Sequence, residues 1–179
     1  MKDWSLSAAD GELRILTGVA GRAARMGHRL AIGMKSWQAS VHWAGDSPTH
    51  AELSVQVESL EVLSGEGGVT PLSGPEKAVA RANALKTLDA KKFPVIRFTA
   101  DEIAKTEDGY RMAGTVEIHG TPRPQSVDVK VDDSGNAWTL STRVSLSQND
   151  FGVRPYSLFM GSLKVADEVT IDFRASCPK

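Results

Sequence analysis

The feature that most constrains this chain is the alternation of apolar and polar residues along most of its length. Leu53, Val55 and Val57 alternate with polar residues. The same period of two recurs in later runs, whose apolar members are Met112, Val116 and Ile118; Val127, Val129 and Val131; Trp138, Leu140, Val144 and Leu146; and Val169, Ile171 and Phe173. Because successive side chains of a strand point to opposite faces, the pattern predicts a series of half-buried β-strands.

Turn signals separate these runs at Asp108-Gly109, at residues 120–124 (Gly-Thr-Pro-Arg-Pro) and at Asp133-Ser-Gly135. The first two connections are short enough to predict antiparallel neighbours. Within an earlier run, Ser59 breaks the alternation before Leu60 resumes it. Such a phase break predicts a β-bulge.

One segment departs from the strand period, between about Glu76 and Lys91. Its apolar residues recur at helical spacing: Val79, Ala82, Leu85 and Leu88. Pro75 suits the first turn of a helix, and Pro94 ends the segment. The sequence therefore predicts one α-helix inserted among the strands.

A long alternating sheet avoids exposed edges by closing on itself. We therefore expect residues 1–179 to form a single, mainly β domain, an antiparallel β-barrel of about eight strands with one inserted α-helix. A barrel of this size is either filled by side chains or holds one ligand. Periodicity is the same in both cases, so both remain open.

Composition excludes several classes of partner. The net charge of -1 argues against nucleic acid, which is bound by a clustered basic excess. Asp3, Asp10 and Glu12 occupy the region where a signal peptide has a basic start and an apolar run. No uncharged apolar stretch approaches the ~18 residues of a membrane-spanning helix. We expect a cytoplasmic protein without stable membrane insertion.

Catalytic and metal-binding motifs are missing from the sequence. There is no GxSxG elbow, no HExxH motif and no P-loop. The four histidines, at positions 28, 42, 50 and 119, lack the spacing of metal ligands, and the lone Cys177 has no partner for a disulfide or a CxxC motif. The sequence predicts no catalytic residue, no metal and no cofactor, and therefore not an enzyme.

A basic stretch near the start of the chain is a candidate ligand contact. Between Leu13 and Gly45 there is no acidic residue, whereas Arg14, Arg22, Arg25, Arg29 and Lys35 all occur. The stretch is either a solvated edge or a rim that attracts anions. His28 lies within it, where it is either a cationic group at the barrel entrance or a surface histidine.

Other candidates lie elsewhere along the chain. Gly152 and Pro155 interrupt strand pairing, so Arg154 and Tyr156 should project from a fixed bend that either meets a ligand or packs as a corner. Arg81 on the helix either lines the entrance or, with nearby lysines, complements the helix dipole. Trp37 is either a ligand contact or a core residue.

Four segments carry a family resemblance. Residues 85–98 pass from a helix end through Phe93-Pro94 into a strand ending at Phe98, and residues 116–124 form a strand followed by Gly-Thr-Pro-Arg-Pro. Residues 150–153 (Asp-Phe-Gly-Val) and 165–171 follow them. In order and spacing these segments resemble the YceI-like family of polyisoprenoid-binding proteins, from about Trp4 to Ala175.

The resemblance implies a lipocalin-like barrel that holds an isoprenoid chain, with the polar head of a polyprenyl phosphate or quinone-like lipid near its mouth. His28 matches a histidine common early in the family, and the bend with Arg154 and Tyr156 resembles one branch of it. The expected ligand-binding residues are His28, Arg29, Trp37, Arg81, Arg154 and Tyr156. The resemblance also implies a homodimer through a barrel face.

We therefore expect binding, sequestration or transport of an isoprenoid-type lipid in the barrel interior. One alternative is a hydrolase that acts on a small lipid-like ester or phosphate in the same cavity. It requires a polar residue at the cavity floor with a base within hydrogen-bond reach. Another alternative is a filled barrel that serves only as an interaction module.

Overall fold

A computed structural model describes residues 3–179, which form twelve β-strands, one α-helix and four 3-10 helices. The strands are β1 (Trp4–Ser7), β2 (Gly11–Ala20), β3 (His28–Met34), β4 (Trp37–Ala44), β5 (Ser47–Gln56), β6 (Leu60–Gly67), β7 (Val95–Lys105), β8 (Gly109–Ile118), β9 (Thr121–Asp133), β10 (Ala137–Ser147), β11 (Ser157–Leu158) and β12 (Leu163–Pro178). The helix, α1, spans Gly74–Thr87.

The strands form one antiparallel sheet in the order β1-β4-β5-β7-β8-β9-β10-β12-β2-β3-β6, and β11 pairs beside the start of β12. The predicted mainly β class with one inserted helix is confirmed. So are the two antiparallel hairpins, β7–β8 and β8–β9. The predicted count of about eight strands is wrong, because twelve are present among residues 3–179. The predicted closure is only partial: the sheet is curled into a half-barrel, and its end strands β1 and β6 do not pair with each other.

Three bends in long extended segments account for part of the difference. β1 turns into β2 at residues 8–10, β3 into β4 at residues 35–36, and β5 into β6 through the 3-10 helix Val57–Ser59. That helix replaces the bulge predicted at Ser59. The halves of each segment have different neighbours: β1 pairs with β4, whereas β2 pairs with β12 and β3. The three segments thus link the two ends of the strand order, and the sheet curls around an interior.

The two ends of the curled sheet differ in their connections. At one end, the short-loop end, the strands are joined by the hairpin turns 45–46, 106–108 and 134–136. At the other, the long-loop end, the connections are residues 21–27, 68–94 and 148–162, together with the tight turn 119–120. Long connections on a rigid sheet are the usual place for ligand contacts.

A capping box fixes the start of α1. The Ser73 hydroxyl accepts the Glu76 backbone N–H at 3.3 Å, and the Glu76 carboxylate accepts the Ser73 backbone N–H at 2.7 Å. Each bond satisfies a backbone donor that has no partner inside the helix. The helix ends at Thr87, four residues before the predicted end at Lys91. Asp89, with a φ of 47°, has the left-handed backbone that commonly ends helices.

The core lies on the inner face of the sheet, as the alternation predicts. Val55, Leu60, Met112, Val116 and Leu140 are all buried. No helix among residues 3–179 combines the length and the apolar character needed to cross a membrane. Nor does that part of the chain group three or more side chains that could hold a metal ion.

Candidate functional site

The interior of the curled sheet contains a cavity of about 760 Å³. Strands from all sides contribute apolar walls, among them Leu13, Ile32, Phe98, Val129 and Phe173. The volume lies within the range of pockets that hold small-molecule ligands, about 300–1,000 Å³. The barrel is therefore hollow, which excludes the filled-barrel alternative.

Aromatic side chains pack together towards the short-loop end of the barrel. The Trp4 and Trp43 rings have centroids 5.0 Å apart, and Tyr110 meets Trp43 edge-on at 5.9 Å. Trp4 also lines the cavity, so this cluster packs behind its wall at that end. Tilted and edge-on pairs of this kind are favourable aromatic contacts.

Helix α1 supplies one wall of the cavity. The helical residues that line it are Pro75, Glu76, Val79, Ala80, Asn83, Ala84 and Thr87. Their spacing of three and four places them on one face of the helix. Two cations fasten the helix to the region of β6. Lys77 Nζ donates to the Leu63 carbonyl at 2.9 Å, and Arg81 donates to the Leu60 and Glu58 carbonyls at 2.7 Å each.

The cavity opens at the long-loop end. A side chain that both lines the cavity and is exposed must stand at its opening, as Val79 (60% exposed) and Leu158 (43%) do. Pro75 and Glu76 also line the cavity from exposed positions, and Tyr156 is half-buried there. We call these five residues the mouth.

Polar residues in the wall form a network of their own. Gln148 Nε2 donates to the Ala166 carbonyl at 3.0 Å, and the Ser147 hydroxyl donates to the Asp167 carboxylate. The other oxygen of Asp167 accepts the Asn149 backbone N–H at 2.8 Å. Within residues 3–179 no histidine or cysteine lines the cavity. The Ser147 hydroxyl therefore has a carboxylate as its hydrogen-bond partner.

Among the residues predicted to bind ligand, Tyr156 lines the cavity at its mouth. Trp37 is only 3% exposed and packs edge-on against Phe173, with ring centroids 5.2 Å apart. It thus lies behind a residue of the cavity wall. Arg81 points to the carbonyls of Glu58 and Leu60, and Arg154 is exposed on the bend before Tyr156.

His28 and Arg29 lie at the start of β3, at the long-loop end. The His28 Nε2 donates to the Thr70 carbonyl at 2.7 Å, beneath the loop before α1. Arg29 is exposed and lies 3.8 Å from Glu66 on the paired strand. The structure thus brings Tyr156 to the cavity, while the other five predicted residues lie beside it or behind its wall.

Sequence reasoning missed the helix face and the amides of Gln125 and Gln148, which also line the cavity. The signal for the helix face was the spacing of Ala80, Ala84 and Leu88 at intervals of four. The apolar residues used for the helix prediction included Ala82, which is exposed, and so mixed two faces. No comparable pattern marks the two glutamines.

Comparison with protein-family models matches residues 4–177 to the YceI-like domain. The fold resembles the crystal structure of Burkholderia cenocepacia BcnA, with a TM-score of 0.71, 20% identity and coverage of 94% of this chain and 97% of that one. It also resembles the Campylobacter jejuni YCEI protein, with a TM-score of 0.63, 13% identity and coverage of 83% and 84%. At these identities the likeness shows a shared fold. A sequence comparison with curated proteins finds no match.

Proposed function

Because the chain belongs to the YceI-like family, a family of polyisoprenoid-binding proteins and not of enzymes, we propose that it binds an isoprenoid-type lipid in its cavity. The lipid is sequestered there or carried between sites. The observation that carries this proposal is the apolar cavity of about 760 Å³, which opens at the long-loop end.

Burial of the isoprenoid chain supplies the affinity in this proposal. Removing apolar surface from water contributes about 25 cal/mol per Å², and a flexible hydrocarbon chain follows an irregular cavity readily. The walls offer matching surface on every side, for example Leu53, Ile96, Val144 and Ile171.

The polar head lies at the mouth in this proposal. Tyr156 lines the cavity there, and the exposed Arg154 precedes it by two residues. A hydroxyl and a guanidinium suit the phosphate of a polyprenyl phosphate or the carbonyl of a quinone-like head. His28 and Arg29 stand at the same end as further donors, whereas Arg81 and Trp37 act by holding the helix and the wall in place.

Mass spectrometry of an organic extract of the purified protein tests the proposal, followed by addition of polyprenyl lipids to the stripped protein. Two substitutions on α1 form a matched pair: Ala84→Phe places a ring in the cavity, and Ala82→Phe places the same ring on the exposed face. We expect lipid loss in the first variant and retention in the second. Equal retention by both, or no lipid in the native protein after addition, contradicts the proposal.

Tyr156→Phe and Arg154→Gln test the position of the head. If the head lies at the mouth, each variant should bind a polyprenyl phosphate more weakly, while binding of the head-less hydrocarbon should be unchanged. Weaker binding of both ligands would show that the substitutions disturb the cavity itself.

Three further expectations belong to the same proposal: a single domain over residues 1–179, a homodimer and a cytoplasmic location. One cooperative unfolding transition, the sedimentation coefficient and cell fractionation test them in that order. Nucleic acid has no part in the proposed function.

A further inference from the structure

Large apolar side chains are exposed at the mouth end of the barrel without lining the cavity. Phe159 is 67% exposed, Val69 78% and Met26 56%, and Met160 is fully exposed. Within residues 3–179, the remaining exposed large hydrophobic residues, Val79 and Leu158, belong to the mouth. Exposed apolar surface gathered at one end of a molecule marks a contact surface.

The segments that carry these side chains touch one another. The Ala23 backbone N–H donates to the Ser162 carbonyl at 2.8 Å, which joins residues 21–27 to residues 159–162. The loop 67–70 is joined to the start of β3 because His28 donates to the Thr70 carbonyl. We call Met26, Val69, Phe159 and Met160 the apolar rim.

The backbone that presents Phe159 and Met160 is strained. Their φ angles are 50° and 56°, in the left-handed region that residues with a side chain rarely adopt. Both residues also direct large apolar side chains to solvent. The left-handed backbone and the exposed apolar surface are each unfavourable for the folded state. Strained residues of this kind cluster at functional sites.

Unpaired cations flank the apolar rim. Arg22 and Arg25 stand beside Met26, Arg154 precedes β11 and Lys164 follows Phe159 and Met160, all exposed and none in an ion pair within residues 3–179. Two acidic side chains of this end have partners. Glu66 lies beside Arg29, and Glu76 accepts the Ser73 N–H in the helix cap. The four cations beside the rim are therefore available to an anionic surface.

We propose that the apolar rim docks the mouth onto an anionic lipid bilayer. Phe159 and Met160 enter the boundary between head groups and acyl chains, and the flanking cations lie among the anionic head groups. This inference builds on the proposed function, since a carrier must exchange its lipid with a membrane. A second copy of this chain is a poorer occupant, because two such rims would bring their cations together.

Vesicle flotation of the native protein tests the docking. The probes are vesicles of phosphatidylcholine alone and of phosphatidylcholine with phosphatidylserine, neither containing any polyprenyl lipid. We expect binding to the anionic vesicles that weakens as salt is raised. The double variant Phe159→Asn/Met160→Asn should bind about tenfold more weakly, because asparagine removes apolar surface yet tolerates the left-handed backbone.

A second pair of variants isolates the charge. Arg25→Gln removes one cation beside the rim, and Lys105→Gln removes one from the short-loop end. We expect about fivefold weaker binding for the first and no change for the second. Thermal unfolding of each variant shows that the fold is intact.

Three outcomes overturn the docking proposal: no binding of the native protein to anionic vesicles, equal binding by the Asn double variant, or a rim that forms a protein dimer instead. Sedimentation identifies the last of these outcomes. If the rim forms a dimer, the native protein sediments as a dimer and the double variant as a monomer, and the two bind vesicles equally. Lipid extraction is measured separately, so failure of docking is distinguishable from failure of lipid binding.

Discussion

Glu76 combines two roles at the residue scale. Its carboxylate begins α1 by accepting the Ser73 N–H, and the same side chain stands in the mouth of the cavity. The hydrogen bonds with the Ser73 backbone and hydroxyl lower the pKa of Glu76 below its ordinary value of 4.5. An ionised carboxylate on the helix side of the mouth repels an anionic head group. It therefore favours a head placed towards Arg154 and Tyr156.

The lowered pKa predicts a pH-dependent contribution of Glu76 to stability. A carboxyl group whose pKa is lower in the folded state stabilises the fold above its unfolded-state pKa, and this contribution is lost as pH falls through the folded-state value. We expect Glu76→Gln to lower the free energy of unfolding at pH 7, with the difference shrinking below about pH 4. Urea denaturation at both pH values measures it. Glu107→Gln in the β7–β8 turn is the control, and an equal loss at both pH values would contradict the prediction.

Cys177 is expected to be a slow nucleophile in the native protein. The thiol is buried in the core cluster, and burial, aided by the nearby Asp10 carboxylate, raises its pKa. Since the thiolate is the reactive form, iodoacetamide at pH 8 should alkylate the folded protein slowly and the urea-unfolded protein fully. Intact-mass measurement follows the reaction. A Val69→Cys variant should gain one rapid label in the folded state, and rapid labelling of the native protein would contradict the prediction.

At the element scale, α1 covers an edge of the sheet. β6 pairs with β3 along one edge, while the carbonyls of Leu60 and Leu63 accept hydrogen bonds from Arg81 and Lys77 of the helix. A sheet edge covered in this way is protected from pairing with another chain. The helix is held by side-chain bonds and apolar contacts and not by a strand ladder, so it is the wall most easily displaced.

Arg81→Met should loosen this wall. The variant loses the bonds to the Glu58 and Leu60 carbonyls, and we expect stability to fall by roughly 1–3 kcal/mol. Hydrogen exchange should quicken in the amides of α1 while β8 and β9 keep their protection. Lys86→Met, on an exposed position of the same helix, provides the control. Unchanged exchange in α1 would show that the two bonds do not hold the helix.

The sequence predicted those features of the strands and the helix that depend on neighbouring residues. Alternation located the buried Val55 and Met112, and Pro75 located the start of α1. The end of the helix depends on the left-handed backbone of Asp89. An aspartate at that position does not by itself predict this conformation. The Arg81 side chain is oriented by carbonyls more than twenty residues earlier in the chain. No local pattern could therefore show whether Arg81 holds the helix in place or contacts a ligand.

At the scale of the whole molecule, the hollow interior is the property that the sequence left open. Filled and hollow barrels share the same alternation, and the difference is set by how side-chain volumes add up across the interior. Small residues that face the cavity, such as Ala39, Ala51 and Ala84, leave space. Their effect emerges only when strands distant in sequence are placed opposite one another.

The packed part of the interior should carry much of the stability. Leu60 is 2% exposed and belongs to the main core cluster. We expect Leu60→Ala to lower the free energy of unfolding by about 2–5 kcal/mol, because it removes buried surface and enlarges the void. Val79→Ala at the mouth, which starts 60% exposed, should change it by no more than about 0.5 kcal/mol. Urea denaturation compares the two, and a small effect at Leu60 would show that the wall collapses to fill the space.

The pairing of β12 with β2 has a consequence for how the barrel is made. Of the pairings between long strands, β12–β2 spans the largest separation along the chain, because it joins the last long strand to one of the first. Closing a loop over such a separation is slow, because the chain loses conformational entropy before the contacts between the two strands can compensate for the loss. During synthesis, the apolar interior therefore has no complete wall until β12 has left the ribosome, and until then the nascent chain exposes the surface that later meets the ligand.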